Sequence, residues 1–218
     1  MYFASRTQAG RMLATQVAAD FLNEKCVVMA LTDGGTMVGA QIAKFLKCPV
    51  TLLVGSEIML PREPEAIAGM APGGVFAYNH SYSQGEIDEL VSEFYSYIEG
   101  EKITHMHHLN QLVGAGGTIS KKLLKDRIIL IVSDGLKTGF EVDLAAQFLK
   151  PVPTKKIVVA VPFASVQAVD RMHVFADKLY CLSVIADYID TNHYYDKQDI
   201  PSHEAAIKAI SEEVAGWK

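Results

Sequence analysis

Several large protein classes are closed to this sequence by what it lacks. Cysteine is scarce: Cys26, Cys48 and Cys181 are odd in number and far apart, with no CxxC pair and no Cys/His finger spacing. That excludes a disulfide framework and a cysteine-built zinc site. No apolar run approaches the roughly 18 residues a membrane helix needs. The first residues carry Arg6 and Arg11 and no uninterrupted apolar stretch, unlike a secretory leader, so a cytoplasmic location is expected. Basic residues are not in excess either. Twenty Lys and Arg against 25 Asp and Glu give a formal charge of −5, so no global field draws the chain to nucleic acid or an anionic membrane. There is no GxSxG elbow, no GxGxxG and no GxxxxGK[ST].

What is present is a long, well-mixed chain of 218 residues, half of them hydrophobic, enough for a full core in one domain. Short and almost continuously apolar runs occur at Cys26–Leu31, Val50–Val54, Ile128–Val132 and Ile157–Val161, with a weaker one at Leu179–Val184. Continuous apolar character marks strands covered on both faces, as in a parallel sheet. Helical spacing fills the intervals. Thr7–Asn23 aligns Ala9, Leu13, Val17 and Phe21 behind a Ser5-x-x-Gln8 capping box, and further helices are read at Met37–Leu46, Phe140–Leu149 and Ser202–Val214. The expectation is an α/β domain over 1–218: a parallel open sheet with helices on both faces. The stretch 55–118 is too long for a simple crossover and reads as an inserted lid. Within it, Gly55–Tyr78 suggests an irregular hairpin and Gln84–Gly100 a helix; His105–Thr118 follows, polar and then Gly-rich.

Two loops could carry chemistry. In the first, a buried strand runs into Ser133-Asp134-Gly135-Leu136-Lys137-Thr138-Gly139 and a helix begins directly after. Glycines let a backbone turn tightly with its N–H groups inward, and a helix N-terminus adds partial positive charge, so a phosphate would be well held there. Thr138 could add a hydroxyl, and Asp134 could accept from sugar hydroxyls. The plain alternative is a tight turn capped by Asp134. The second loop, Thr32-Asp33-Gly34-Gly35, likewise follows a strand and opens a helix. It could receive an anion, or be a glycine turn with Asp33 or Thr36 as the cap. Ligands of open α/β sheets collect at the strands' carboxyl ends, where both loops fall. His105, His107 and His108 lack a carboxylate at motif spacing, so no metal ligand is assigned. Gly114–Thr118 reads as a hinge. Tyr188–Tyr195, YIDTNHYY, reads as a stacking surface for a base or lid, or as packing at a subunit contact.

Together these segments resemble the type I phosphoribosyltransferase fold, and in particular its small bacterial subgroup, over nearly the whole chain. The carrying residues are Phe3-x-Ser5-Arg6-x-x-Ala9-Gly10-x-x-Leu13-Ala14, Val27–Leu46, Pro61-x-x-Pro64-Glu65-x-x-x-Gly69, Ile128–Gly139 and Ile157–Pro162. The resemblance implies that Gly135, Leu136, Lys137, Thr138 and Gly139 bind the 5′-phosphate of phosphoribosyl diphosphate. It implies that Ser133 and Asp134 hold the ribose, with Asp134 the catalytic group. Thr32, Asp33, Gly34 and Gly35 would line the diphosphate, with Mg²⁺ as cofactor. The implied partner is a phosphosugar or nucleotide; a homodimer would suit the fold. The implied reaction is phosphoribosyl transfer to or from a base, driven by orientation and charge stabilisation; the alternative is a non-catalytic module that binds the same ligands. Three positions depart from the pattern. Ser133 replaces an acid, which gives up a charge-assisted hydrogen bond of roughly 1.5–3 kcal/mol. Glu57 stands where a basic residue is expected, and His105–Asn110 replaces an Arg-bearing stretch.

Overall fold

A computed structural model describes residues 2–112 and 119–215 of the chain. Helix α1 (Arg6–Phe21) starts at Ser5, whose side chain accepts from the Gln8 N–H, while the Gln8 carboxamide reaches back to the Ala4 N–H at 2.7 Å. The box expected from Ser5-x-x-Gln8 is thus closed one residue further back. Strand β1 (Cys26–Ala30), helix α2 (Asp33–Leu46) and strand β2 (Val50–Leu52) follow. The chain then leaves the main sheet for β3 (Ser56–Ile58), β4 (Ala68–Ala71), β5 (Val75–Tyr78) and α3 (Gln84–Leu112). It returns through α4 (Lys121–Leu124), β6 (Ile128–Val132), α5 (Phe140–Leu149), β7 (Lys156–Ser165), α6 (Val166–Phe175) and β8 (Lys178–Ile185). A 3-10 turn at Thr191–Tyr194 and helix α7 (His203–Ala215) complete it.

Five strands form a parallel sheet in the order β2-β1-β6-β7-β8. Alternate residues of each strand point to opposite faces, and both faces are covered. On one, Val28, Leu130 and Val158 meet Leu13 and Val17 of α1 and Val38 and Ile42 of α2. On the other, Met29, Ile131 and Val159 meet Leu144 and Phe148 of α5 and Met172 of α6. This double cover is why the strands read as unbroken apolar runs. The β7–β8 ladder skips Pro162, which has no N–H to give, and resumes at Phe163 opposite Ser183.

The inserted stretch differs in detail from the expectation. Gly55–Tyr78 is not an irregular hairpin: β3, β4 and β5 form an antiparallel sheet of their own. Its strands are three or four residues long, too short for a period of two to show. Helix α3 does not stop near Gly100 but runs to Leu112, with a kink at Phe94. Glu99–Lys102 and Glu101–His105 side-chain pairs carry it onward, and Leu109 is buried against Ile58, Leu60 and Ile67. The His105–His108 segment is therefore helical. The expected hinge at Gly114–Thr118 lies outside the described residues. The small sheet rests on α5, where Gly69 lets Phe140 and Leu144 approach its backbone closely.

Candidate functional site

Strands β1 and β6 are neighbours, but the chain leaves them in opposite directions, to β2 on one side and to β7 on the other. That reversal opens a crevice at their carboxyl ends, the place where open α/β sheets bind ligands. Thr32–Gly35 and Ser133–Gly139 both lie there.

The floor of the crevice is a buried ion pair. Asp134, 5% exposed, accepts from Arg6 Nε at 2.7 Å on one oxygen and from Thr32 Oγ1 at 2.7 Å on the other. Arg6 is fully buried; it also reaches Asp199 at 3.0 Å and Asn192 at 2.6 Å, and lies 4.3 Å above the Tyr195 ring. Burial alone would lower the Arg6 pKa, but the charge of Asp134 and hydrogen bonds to Asp134 and Asp199 raise it instead. The Tyr195 hydroxyl donates to the Asp134 carbonyl at 2.6 Å. Ser133, also fully buried, donates to the Gly135 carbonyl at 3.0 Å. Both residues expected to face a ribose thus have their side chains bonded inside the chain.

The double glycine has a packing reason. A Cβ on Gly34 would lie 2.1 Å from the Asp134 carboxylate and 2.7 Å from Arg6 Nε. The cap of α2 is Thr32, not Asp33 or Thr36: its Oγ1 accepts from the Gly35 N–H at 2.7 Å. Asp33 instead accepts a hydrogen bond from, or pairs with, His203 Nδ1 of α7 at 2.9 Å.

The later part of the first loop is built differently. Gly135 is there for room, since a Cβ would meet Phe163 at 2.5 Å and the Tyr188 hydroxyl at 2.6 Å. Leu136 is buried and bonds as a short strand to β7, donating to Phe163 O and accepting from the Ser165 N–H. Gly139 takes φ 77°, a left-handed conformation that favours glycine, and caps α5 without any side-chain help. The Thr138 hydroxyl oxygen accepts from the Phe140 N–H at 3.2 Å, which leaves its proton free to donate outward. Among the described residues, no protein acceptor meets the N–H groups of Lys137, Thr138 and Gly139.

Lys137 and Thr138 line a cavity of about 220 Å³, whose other walls include Glu57, Glu65, Asn79 and Glu141. A second hollow of about 320 Å³ adjoins it through Glu65 and Lys137 and reaches Ser165, Gln167 and Tyr188. Charge in the first cavity is mainly negative. Burial, then Glu65, raises the Glu57 carboxyl. Burial pushes Glu141 up to about 7; its own backbone N–H works against this, and Glu57, Asp134 and Asp143 add to it. Glu141 Oε2 is buried and has no hydrogen-bond partner among the described residues.

Sequence reasoning missed Arg6 and Glu141 as parts of the site, and it read Tyr195 as a stacking or contact residue where it is a partner of Asp134 and Arg6. Arg6 carried a signal: it falls on the apolar face of α1, in register with Ala9, Gly10 and Leu13. A charge on a buried face implies a buried partner. The aromatic segment packs inside its own chain. Tyr188, Tyr194 and Tyr195 close around Phe163, and Phe3 joins them. His105 lies apart from the crevice, between Ser56 and Glu101. Burial lifts the Cys26 thiol to about 11 and Cys48 to about 12, which makes both inert packing groups. No helix among the described residues is long and apolar enough to cross a membrane.

No family model matches the chain. It is 28% identical over 194 residues to a protein of Mycobacterium tuberculosis, found in strains CDC 1551 and H37Rv, that carries the provisional name phosphoribosyl transferase. The match takes in 88% of this chain and 43% of that protein, so the chain spans less than half the length of these curated relatives. Among solved structures, the TT1426 protein of Thermus thermophilus is 25% identical with a TM-score of 0.73, covering 97% of this chain and 99% of its own. A hypoxanthine phosphoribosyltransferase of Staphylococcus aureus shares the fold at 11% identity and a TM-score of 0.50, covering 86% of this chain and 78% of its own.

Proposed function

Starting from a chain with the type I phosphoribosyltransferase fold, we propose that it binds a ribose 5-phosphate group in the crevice, with the phosphate on Lys137, Thr138 and Gly139. The observation that carries this is the row of backbone N–H groups left without protein acceptors at the start of α5, beside the Thr138 hydroxyl and the Lys137 ammonium. Phosphoribosyl transfer between a diphosphate donor and a nucleobase or related acceptor is the activity we assign to it. The adjoining hollow at Ser165, Gln167 and Tyr188 offers the acceptor its place.

One observation favours the second reading, binding without transfer. Asp134 is 5% exposed and its two carboxylate oxygens already accept from Arg6 and Thr32, which leaves a sugar hydroxyl little access to it. In that state Asp134 is a positioning residue that ties the two loops together. The same pairing bears on Mg²⁺. A cation that rides on a diphosphate is usually steadied by one or two carboxylates. Asp134 is neutralised by Arg6, and no group of three metal-binding side chains occurs among the described residues. Asp134 in this arrangement is not the carboxylate that would steady Mg²⁺.

Calorimetric titration separates the readings. Phosphoribosyl diphosphate, ribose 5-phosphate and a nucleoside monophosphate are compared with and without Mg²⁺. A transferase prefers the diphosphate and needs the metal; a binding module takes all three alike. Thr138→Val should weaken every one of them, and unchanged affinity would mean that the loop is only structural.

A further inference from the structure

Glu141 is the second residue of α5, directly after the loop that ends at Gly139. It lines the cavity with Lys137 and Thr138, and its Oε2 is buried without a hydrogen-bond partner among the described residues. A helix N-terminus ordinarily welcomes a carboxylate. Here the carboxylate lines the same cavity as the proposed phosphate seat, and two like charges cannot share that space cheaply. We propose that Glu141 makes anion binding at this loop proton-coupled: a phosphate group enters together with one proton, which Glu141 keeps. This rests on the phosphate seat proposed above.

The surroundings are one-sided. Glu57 of β3 and Glu65 ahead of β4 face Glu141 across the cavity. Asp134 at the start of the loop and Asp143 on α5 add to the negative field. Asp143 is held by Arg171 of α6 at 2.6 Å, and Tyr188, whose hydroxyl is also raised, feels the Glu141 charge. Among the described residues, Lys137 is the one cation lining the cavity. Burial and these acids push Glu141 up to about 7. The neutral carboxyl donates its O–H to a phosphate oxygen; the ionised form repels it. The proton comes from solvent and returns there on release.

Sulfate is the probe, because its charge is constant between pH 6 and pH 8. Calorimetry on the full chain should show its affinity falling about 10-fold over that range, as expected for one proton taken up with a midpoint near 7. Glu141→Gln should show no such fall and should bind sulfate more tightly than wild type at pH 8. Glu57→Gln, which removes one of the repelling acids, should move the midpoint down. Parallel pH profiles for wild type and Glu141→Gln would overturn the inference and leave the phosphate seat standing. If neither protein bound sulfate or ribose 5-phosphate even at pH 6, the seat itself would fall. Thermal unfolding of each variant checks that it is folded; should Glu141→Gln not fold, an unmoved midpoint in Glu57→Gln would overturn the inference.

Discussion

Asp134 and Glu141 stand at opposite ends of one loop and have opposite fates. Both oxygens of Asp134 are bonded, one by a guanidinium and one by a hydroxyl, and even its carbonyl is taken by Tyr195. Glu141 has a buried oxygen with no partner among the described residues. The first carboxylate is spent on structure: it fixes the Thr32 loop, α1 and the C-terminal segment to the end of β6. The second is left unsatisfied in a cavity, at a free-energy cost that a satisfied charge does not carry. Such unsatisfied groups cluster where ligands act. The proposed phosphate seat therefore falls at the helix end of the loop, and its strand end is the foundation.

Breaking the foundation should have the largest effect. Arg6→Met leaves Asp134 buried without its cation, and urea denaturation should show a loss of about 3–5 kcal/mol. Adding Asp134→Asn should restore part of that loss, because the stranded charge goes with it. A loss under about 1 kcal/mol for the single variant would mean that the pair is not what holds the loops together. The helix end should show itself in the pH dependence of stability. Glu141 is pushed up to about 7 in the folded chain against an ordinary 4.5. The folded state thus keeps a proton that the unfolded chain has released. The contribution of Glu141 to stability is undiminished below about 4.5, falls as pH rises towards about 7, and levels off above it. The fall is on the order of 3 kcal/mol, and Glu141→Gln should flatten it in melting temperatures taken from pH 4 to pH 8. The smallest effect belongs to the link between the loops. Thr32→Val removes a hydrogen bond to Asp134 and the cap of α2 together, and chemical denaturation should show about 1–2 kcal/mol.

Much of this was legible in the residues. Four of the five sheet strands announced themselves as nearly unbroken apolar runs because both faces are covered, and Ile128–Val132 fell at its observed bounds; β8, a partly buried edge strand, gave a weaker one. The turn after β6 was legible because Gly139 sits just before a helix. The site itself was less so. Asp134 has its partners 102 and 128 residues away, and nothing local in the sequence reveals a pairing of that span. Gly34 looked like an anion seat because glycine serves close approach of any kind; here the neighbour is the chain's own ion pair. Glu141 passed as an ordinary acidic residue in a first helical turn. Only the fold of β3, Glu65 and α5 around one cavity shows how crowded with negative charge that turn is.

The reach of Arg6 also sets a clock. Its partner Asp199 lies 193 residues later, so at roughly 5–20 residues per second a ribosome delivers it about 10–40 s after Arg6. Neighbouring strands can pair while they wait; the guanidinium cannot be buried until its last acid arrives. The crevice consequently cannot close fully until Asp199 has been made, however early its strands have paired.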